Sequence, residues 1–199
     1  NLTGITEFDE VLVKHFLDSL CCVKAVDMGK IKTVMDIGTG AGFPGVPLKI
    51  AFPEVEACLL DSLNKRVRFL EETFALLGLE GISAIHGRAE EYAKNKAYRE
   101  KYDLCVSRAV SGLATLSEYC LPYVKVGGLF VSYKSGSVKE EAEAAEKAVK
   151  ILGGKIRDIQ YFDLPGSEIG RSLVIIEKVK NTPGKYPRKA GTPLREPLA

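Results

Sequence analysis

The sequence predicts an α/β fold, in which helices cover both faces of a mostly parallel sheet. A short apolar strand over 34–37 runs directly into a glycine-rich loop that contains Gly38, Gly40 and Gly42. Strand-like and helix-like segments then alternate through the middle of the chain, which is the pattern of βαβ units. The 199 residues, of which 46% are hydrophobic and 27% are charged, suit one domain with a full core. We therefore predict a single domain over 1–199.

The individual elements follow from hydrophobic periodicity and from the residues that begin or end helices. A helix is expected over about 7–26, ahead of the first strand, and another begins near Pro44. Ser62 is expected to cap an amphipathic helix over 63–77, which Gly78 ends. The remaining strands are predicted over 55–60, 82–85, 103–107, 129–133, 156–162 and 172–178, and the remaining helices from about 89 and over 113–121 and 137–152.

The composition argues against a membrane protein, a secreted protein and a metal-binding protein. No apolar run reaches the ~18 residues of a membrane span, and the first residues show no signal peptide, so we expect a cytoplasmic protein without membrane contact. The five cysteines form no C-x-x-C pair, which fits a reducing compartment and predicts no metal site. The tail over 181–199 is rich in Pro, Gly, Lys and Arg, and its composition alone predicts disorder as readily as order.

The glycine loop fits two classes of cofactor site. Gly38, Gly40 and Gly42 form G-x-G-x-G directly after the strand, which is common in methyltransferases that bind S-adenosylmethionine. Gly40, Gly42 and Gly45 also satisfy the dinucleotide pattern G-x-G-x-x-G, although this match starts two residues later and contains a proline. Both patterns place a nucleotide-like cofactor at the carboxyl end of the first strand. A nicotinamide-dependent oxidoreductase therefore remains the alternative.

Acidic residues near the ends of the first two strands add information about the cofactor. Asp61 follows the second strand, where a carboxylate can accept hydrogen bonds from ribose hydroxyls or simply favour the N-terminus of the next helix. Asp36 is more typical of the methyltransferase loop, where it can help to hold a methionine amino group. Residues 87–90 follow the third strand, where adenine is usually bound. Together these positions favour a methyltransferase.

Longer motifs carry a more specific resemblance. The chain resembles the glucose-inhibited division protein B (RsmG) family in DIGTGAGFPGVPLKIAFPE and in NLTGIT, KHFLDSL, LLDSLNKRVRFLEE, GRAEEYA, DLCVSRAV, GGLFVSYKS and YPRKAGTPLREPL. Members of this family are bacterial 16S ribosomal RNA guanine-N7 methyltransferases. The resemblance implies a class I S-adenosylmethionine-dependent methyltransferase (Rossmann-like) fold, with S-adenosylmethionine as cofactor. It also implies 16S rRNA or the small ribosomal subunit as partner and the 530 loop as target, and we expect a monomer.

The resemblance also implies roles for single residues. Gly38 and Phe43 would line the S-adenosylmethionine pocket, and Asp61 would bind the ribose. Ala89 and Glu90 would bracket the adenine. The full set of expected cofactor-binding residues is Asp36, Gly38, Gly40, Gly42, Phe43, Asp61, Ala89, Glu90 and Arg108.

The expected chemistry needs no general base. The fourth strand ends in SRAV and lacks the Asp/Asn-Pro-Pro-aromatic motif of adenine-N6 and cytosine-N4 enzymes. Cys105 lies within that strand, so core packing is favoured over a role as nucleophile. Guanine N7 carries a lone pair and no proton, so the protein must supply alignment. We expect Arg108 to act as a positioning residue at the methyl-transfer end, and His15 and His86 to be structural.

Basic residues supply the evidence that the protein binds RNA. Several of them follow strand ends, on the rim that would hold the cofactor, and a cationic rim can neutralise phosphates. The expected RNA-binding residues are Lys65, Arg66, Arg88, Lys134, Arg171 and Arg188. Any one of these cations could equally serve solubility. A non-catalytic RNA-binding protein on the same fold is therefore a further alternative.

Overall fold

One seven-stranded sheet forms the centre of the computed structural model, which describes residues 4, 7–108 and 110–198. The strands are β1 (Thr33–Ile37), β2 (Glu56–Asp61), β3 (Ile82–His86), β4 (Tyr102–Arg108), β5 (Val124–Ser135), β6 (Gly154–Asp163) and β7 (Gly170–Lys178). Their order is β3-β2-β1-β4-β5-β7-β6, and β7 runs in the opposite direction to the other six strands. The predicted mostly parallel α/β fold is confirmed. Most of the NLTGIT motif lies outside the described residues.

Helices flank the sheet. They are α1 (Phe8–Val11), α2 (Asp18–Leu20), α3 (Gly45–Ala51), α4 (Asn64–Leu77), α5 (Ala89–Tyr92), α6 (Leu113–Cys120), α7 (Lys139–Ile151) and α8 (Thr192–Arg195). A π-helical segment, Leu12–Leu17, joins α1 to α2, and a 3-10 turn, Cys21–Lys24, follows, so the helix expected over about 7–26 is present but not uniformly α. Within the described ranges, no helix is both long and apolar enough to cross a membrane.

The core consists of layers on both faces of the sheet. Alternate residues of the central strands face opposite layers, so that Met35 packs with α6 and α7 while Val34 packs with the N-terminal helices and α3. Leu104 and Cys105 of β4 also face opposite layers. Cys105 has 0% exposure, which confirms the predicted core position. The central strands are buried on both sides, as a parallel sheet between two helical layers requires.

Two local predictions are wrong. Ser62 does not cap α4; the N-cap position is Leu63, whose amide donates a hydrogen bond to Asp61 Oδ1 at 2.9 Å. The fifth strand begins at Val124 rather than after the glycine pair at 127–128. Gly127 adopts a φ of +85° and the register shifts beside it, so the glycines form an irregularity within one long strand.

The tail has defined structure over 181–198, so disorder is excluded for these residues. Residues 181–196, which we call the strap, lie against α5 and α6 and contain α8. Side chains from the body of the protein satisfy the strap's polar backbone; Arg99, for example, donates to the carbonyl oxygens of Thr182 and Tyr186. Composition could not indicate this order, because the hydrogen-bond partners lie far away in the sequence.

Candidate active site

The carboxyl ends of the parallel strands bring the predicted site residues to one edge of the sheet. Ile37 of β1 pairs in register with Leu60 of β2, so the loops that follow both strands begin side by side. On the other side of β1, Arg108 ends β4 and pairs in register with Tyr133 of β5. A crevice at this edge is where ligands bind in open α/β sheets.

The three glycines after β1 have left-handed backbones but different surroundings. A Cβ at Gly38 (φ +72°) would lie 2.6 Å from Val110 Cγ2, and one at Gly42 (φ +96°) would lie 2.6 Å from Val46 Cγ2. Gly40 (φ +63°) differs, because no heavy atom lies within 4 Å of its Cβ position. The loop therefore packs tightly at its two ends and leaves open space at Gly40, where a ligand can approach the backbone.

Asp36 is buried near the end of β1, and only one of its oxygens is satisfied. Oδ2 accepts hydrogen bonds from Thr39 Oγ1 at 2.7 Å and from the Gly45 amide at 2.9 Å. Oδ1 has no hydrogen-bond partner within the described residues. Burial raises the pKa of Asp36 from 3.8 to about 6. A buried carboxylate oxygen without a donor fits a ligand that presents a cationic N–H group at this point.

The raised pKa of Asp36 makes stability depend on pH. The folded chain binds the proton of the Asp36 carboxyl group more tightly than the unfolded chain does. The resulting contribution to the free energy of unfolding is fully present below the ordinary pKa of 3.8 and is lost as pH rises through about 6. We expect the stability of Asp36→Asn relative to wild type to rise by up to about 3 kcal/mol between about pH 3.5 and about pH 7.5, at about 1.4 kcal/mol per pKa unit. Urea titrations at both pH values measure this difference, and a constant difference would contradict the raised pKa.

Asp61 lies beside the glycine loop and is buried, with 2% exposure. Its Oδ2 accepts a hydrogen bond from the Gly40 amide at 2.9 Å, and Arg66 Nη1 lies 3.2 Å from the same oxygen. Its other oxygen accepts from the Leu63 amide at the start of α4. The carboxylate thus fixes the glycine loop to α4. Binding a ribose hydroxyl would require it to share or exchange one of these contacts.

Ala89 and Glu90 open α5 directly after β3, and both are buried. The Ala89 carbonyl accepts a hydrogen bond from the Tyr123 hydroxyl at 2.7 Å. Glu90 Oε1 accepts one from the amide of Gly191 in the strap at 2.8 Å. The sequence pattern did not indicate that the tail reaches this side of the site.

Arg108 connects the end of β4 to the N-terminal helical segment. Its guanidinium donates to Asp18 Oδ2 at 3.1 Å and lies 5.3 Å from the centre of the Phe43 ring, in cation–π geometry. His15, in the π-helical segment, stacks on the same ring at 4.9 Å, and its Nδ1 lies 3.4 Å from Arg108 Nη2. π-Helical insertions occur frequently at functional sites. Although His15 was expected to be structural, the fold places it beside Arg108 and Phe43, two of the expected site residues.

Asp18 is the main site residue that the sequence did not reveal. It is 4% exposed and pairs with both Arg108 and Arg171, whose Nε donates to Asp18 Oδ1 at 3.2 Å. The only local signal was an acid on the apolar face of a predicted helix, three residues after His15. Two arginines held by one buried carboxylate give this part of the site a fixed arrangement.

A cavity of about 570 Å³ opens beside Arg108. Its lining includes four basic side chains and two carboxylates, namely Lys14, Arg108, Lys134, Arg171, Asp18 and Glu141. Burial and the neighbouring Arg108 guanidinium lower the pKa of His15, which also lines the cavity, so its imidazole is neutral at pH 7. The positive excess favours an anionic ligand.

The structure places the expected RNA-binding residues in two different situations. Four are in ion pairs: Arg66 with Asp61, Lys134 with Glu141, Arg171 with Asp18 and Arg188 with Glu118. Lys65 and Arg88 are exposed, and neither forms an ion pair with any residue of the described part. Besides its ion pair with Lys134, Glu141 accepts a hydrogen bond from the Leu113 amide at the start of α6.

Comparison with known proteins places the whole chain in one group. The family model GidB, rRNA small subunit methyltransferase G, matches residues 1–169. Ribosomal RNA small subunit methyltransferase G of Lachnoclostridium phytofermentans is 55% identical over 198 residues, which cover 100% of this chain and 82% of that protein. The protein of the same name from Alkaliphilus metalliredigens is 53% identical over 198 residues, with 100% and 83% coverage.

Solved structures share the fold at much lower identity. TrmN from Thermus thermophilus superposes with a TM-score of 0.60 at 16% identity, over 81% of this chain and 48% of that chain. The S-adenosylmethionine-dependent methyltransferase SibL in its apo form gives 0.61 at 16% identity, over 82% and 55%. These similarities show the fold alone, which is that of class I S-adenosylmethionine-dependent methyltransferases.

Proposed function

The chain belongs to the GidB family, rRNA small subunit methyltransferase G, and from this membership we propose that it transfers the methyl group of S-adenosylmethionine to a guanine of 16S rRNA. We propose N7 as the acceptor atom and the 530 loop as the target, in the cytoplasm. The observation that carries the proposal is the contact of Phe43, in the glycine loop, with Arg108, which lines the cationic cavity. This contact joins a cofactor-type loop to a cavity suited to an anionic substrate.

The residues of the loop edge fit S-adenosylmethionine. The unpartnered Asp36 Oδ1 suits its amino group, and the open space at Gly40 leaves room for a ligand beside the backbone. Asp61 would hold the ribose, and Ala89 and Glu90 would hold the adenine. When bound, this cofactor supplies an electrophilic methyl group on a sulfonium centre.

The chain's own task is then to orient the guanine. Arg108 stays protonated and cannot act as a base, so it holds the base edge or a flanking phosphate. Lys134 and Arg171 line the same cavity and add positive charge for an RNA phosphate. His15 has a lowered pKa, and its Nε2 has no partner among the described residues. Guanine N7 has no proton to remove, so alignment suffices.

The absence of a general base predicts a flat pH profile. We expect the single-turnover rate to change little between about pH 6.5 and about pH 8.5, because methylation of guanine N7 removes no proton and the pKa of His15 is lowered from its ordinary 6.5 by burial and by the Arg108 guanidinium. Rapid-quench measurements with saturating cofactor test this expectation. A log-linear rise with pH that disappears in His15→Gln would show that a titrating group takes part.

The two exposed cations give a prediction about RNA affinity. Replacing Lys65 and Arg88 with Ala should lower the slope of log K against log[salt] by about 1.5 units, since each phosphate contact contributes roughly 0.7–0.9. Affinity for S-adenosylhomocysteine should stay the same. Lys155→Ala is the matched control, because Lys155 is exposed near the start of β6, at the opposite edge of the sheet. If the wild type, the double variant and Lys155→Ala all gave the same salt slope, Lys65 and Arg88 would not contact RNA and would serve only solubility.

Methyl transfer itself tests the proposed function. Methyl-labelled S-adenosylmethionine is incubated with unmodified small-subunit RNA, naked or assembled, and the labelled position is mapped. We expect label on one guanine N7 in the 530 loop. Label on another atom would overturn the target, and RNA binding without label would favour a binding protein. Thermal stabilisation by NAD(P)H instead of S-adenosylhomocysteine would favour an oxidoreductase.

A further inference from the structure

The strap is held at its beginning by a buried lysine and a neighbouring glutamate. Lys178 Nζ, which has 0% exposure, donates to Thr182 Oγ1 at 2.9 Å and to two backbone carbonyls. Glu100 accepts hydrogen bonds from the Thr182 amide at 2.7 Å and from Asn181 Nδ2 at 2.6 Å. These contacts fix where the strap leaves the sheet.

The middle of the strap is held by Arg188 and Glu118. Glu118, on α6, has 0% exposure, and its two oxygens accept from Arg188 Nε at 3.0 Å and Nη2 at 2.6 Å. The Arg188 amide also donates to Glu118 Oε1 at 2.7 Å. A paired, bidentate arginine of this kind is a fixed structural contact. Because the Arg188 guanidinium is engaged in this way, little of it remains free to bind an RNA phosphate.

The far part of the strap reaches the adenine side of the proposed cofactor site. The Gly191 amide donates to Glu90 Oε1, and the Pro193 carbonyl accepts from Thr115 Oγ1 on α6 at 3.0 Å. No hydrogen bond to Glu90 Oε2 occurs among residues 7–108 and 110–198. One oxygen of Glu90 is therefore occupied by the strap, while the other remains available to a ligand.

We propose that the strap is a positioning element for the cofactor, with Arg188 and Gly191 as its positioning residues. Arg188 anchors the strap on Glu118, and Gly191 then holds the Glu90 carboxylate in one orientation, so that Oε2 can accept the adenine amino group. This inference rests on the proposed function, because it takes adenine as the group beside Glu90. According to this inference, the strap supports the cofactor site instead of binding RNA.

Paired ligands test the inference. S-adenosylhomocysteine carries the adenine amino group, whereas S-inosylhomocysteine has a carbonyl oxygen there. We expect Arg188→Ala, which frees the strap, and Thr115→Val, which removes the donor to the Pro193 carbonyl but keeps the ion pair, to raise the Kd for S-adenosylhomocysteine about tenfold. The Kd for S-inosylhomocysteine should stay unchanged.

Controls separate positioning from general destabilisation. Lys189→Ala replaces an exposed cation of the strap and should leave both Kd values unchanged. Thermal unfolding identifies a variant that fails to fold; if Arg188→Ala fails, the Thr115→Val variant tests the inference alone. Equal losses for both ligands, unchanged affinity in a folded variant, or weaker RNA binding with normal cofactor affinity would overturn the inference. A wild-type chain that binds neither ligand would refute the proposed function itself.

Discussion

Gly40→Val is expected to raise the Kd for S-adenosylhomocysteine at least about a hundredfold. Gly40 has a φ of +63°, which costs a non-glycine residue roughly 1–2 kcal/mol. The branched side chain would also fill the open space above the loop, where we place the ligand. A shift of the backbone to relieve the strain would break the 2.9 Å hydrogen bond from the Gly40 amide to Asp61. Calorimetric titration measures the loss directly.

Gly78→Val separates backbone strain from loss of ligand space. Gly78 ends α4 with a φ of +61°, and no heavy atom lies within 4 Å of its Cβ position. The two substitutions therefore impose similar strain, but only Gly40 lies beside Asp61. We expect Gly78→Val to lower the unfolding free energy and leave the Kd near that of wild type. Equal Kd values for the Gly40 variant and wild type would place the pocket elsewhere.

Asp18→Ala is expected to lower the single-turnover rate at least about a hundredfold and the unfolding free energy by about 2–3 kcal/mol. Asp18 is the shared partner of Arg108 and Arg171, which are 15% and 20% exposed. Removing one member of a buried ion pair leaves an uncompensated charge, which usually costs about 3–5 kcal/mol; partial exposure of the arginines reduces this value. The freed arginines would also lose their orientation in the cavity. Rapid-quench assays and urea titrations measure the two effects.

Glu10→Ala is the matched control for Asp18. Glu10 pairs with Lys14 on the surface of the same helical segment, and its side chain is 50% exposed. Exposed pairs contribute about 0–1 kcal/mol, so both rate and stability should remain close to wild type. If Asp18→Ala unfolds the protein, Asp18→Asn keeps the shape of the side chain and retains the test. A normal rate in a folded Asp18 variant would show that the two arginines need no shared partner.

The central part of the fold could be predicted because its signals are local. The apolar run before Gly38 and the alternation of strands and helices depend only on neighbouring residues, and both are present in the structure. The edge of the sheet that holds Asp36, Asp61 and Arg108 then follows from parallel strand order. The bulged start of β5 was missed, because glycine indicates an irregularity without saying whether the strand continues through it.

The missed residues depend on distant partners. Arg171 lies 153 positions from Asp18, and Arg188 lies 70 positions from Glu118. No periodicity links such pairs, so each basic residue looked like a free cation in the sequence. The same limit applies to the tail, whose composition resembles that of a disordered segment until Glu118 and Glu90 are placed beside it. Lone carboxylates on apolar helix faces were the only sequence signal.

The strap also affects when the protein can finish folding during synthesis. Glu118 is buried in α6, and a buried carboxylate needs its cation. Ribosomes add roughly 5–20 residues per second, so the 70 positions between Glu118 and Arg188 take several seconds to translate. During that interval the Glu118 carboxylate lacks the arginine that it pairs with in the finished protein. The glycine loop leaves the ribosome early, but the strap reaches Glu118 and Glu90 only after residue 191 has emerged, so this side of the domain is the last to be completed.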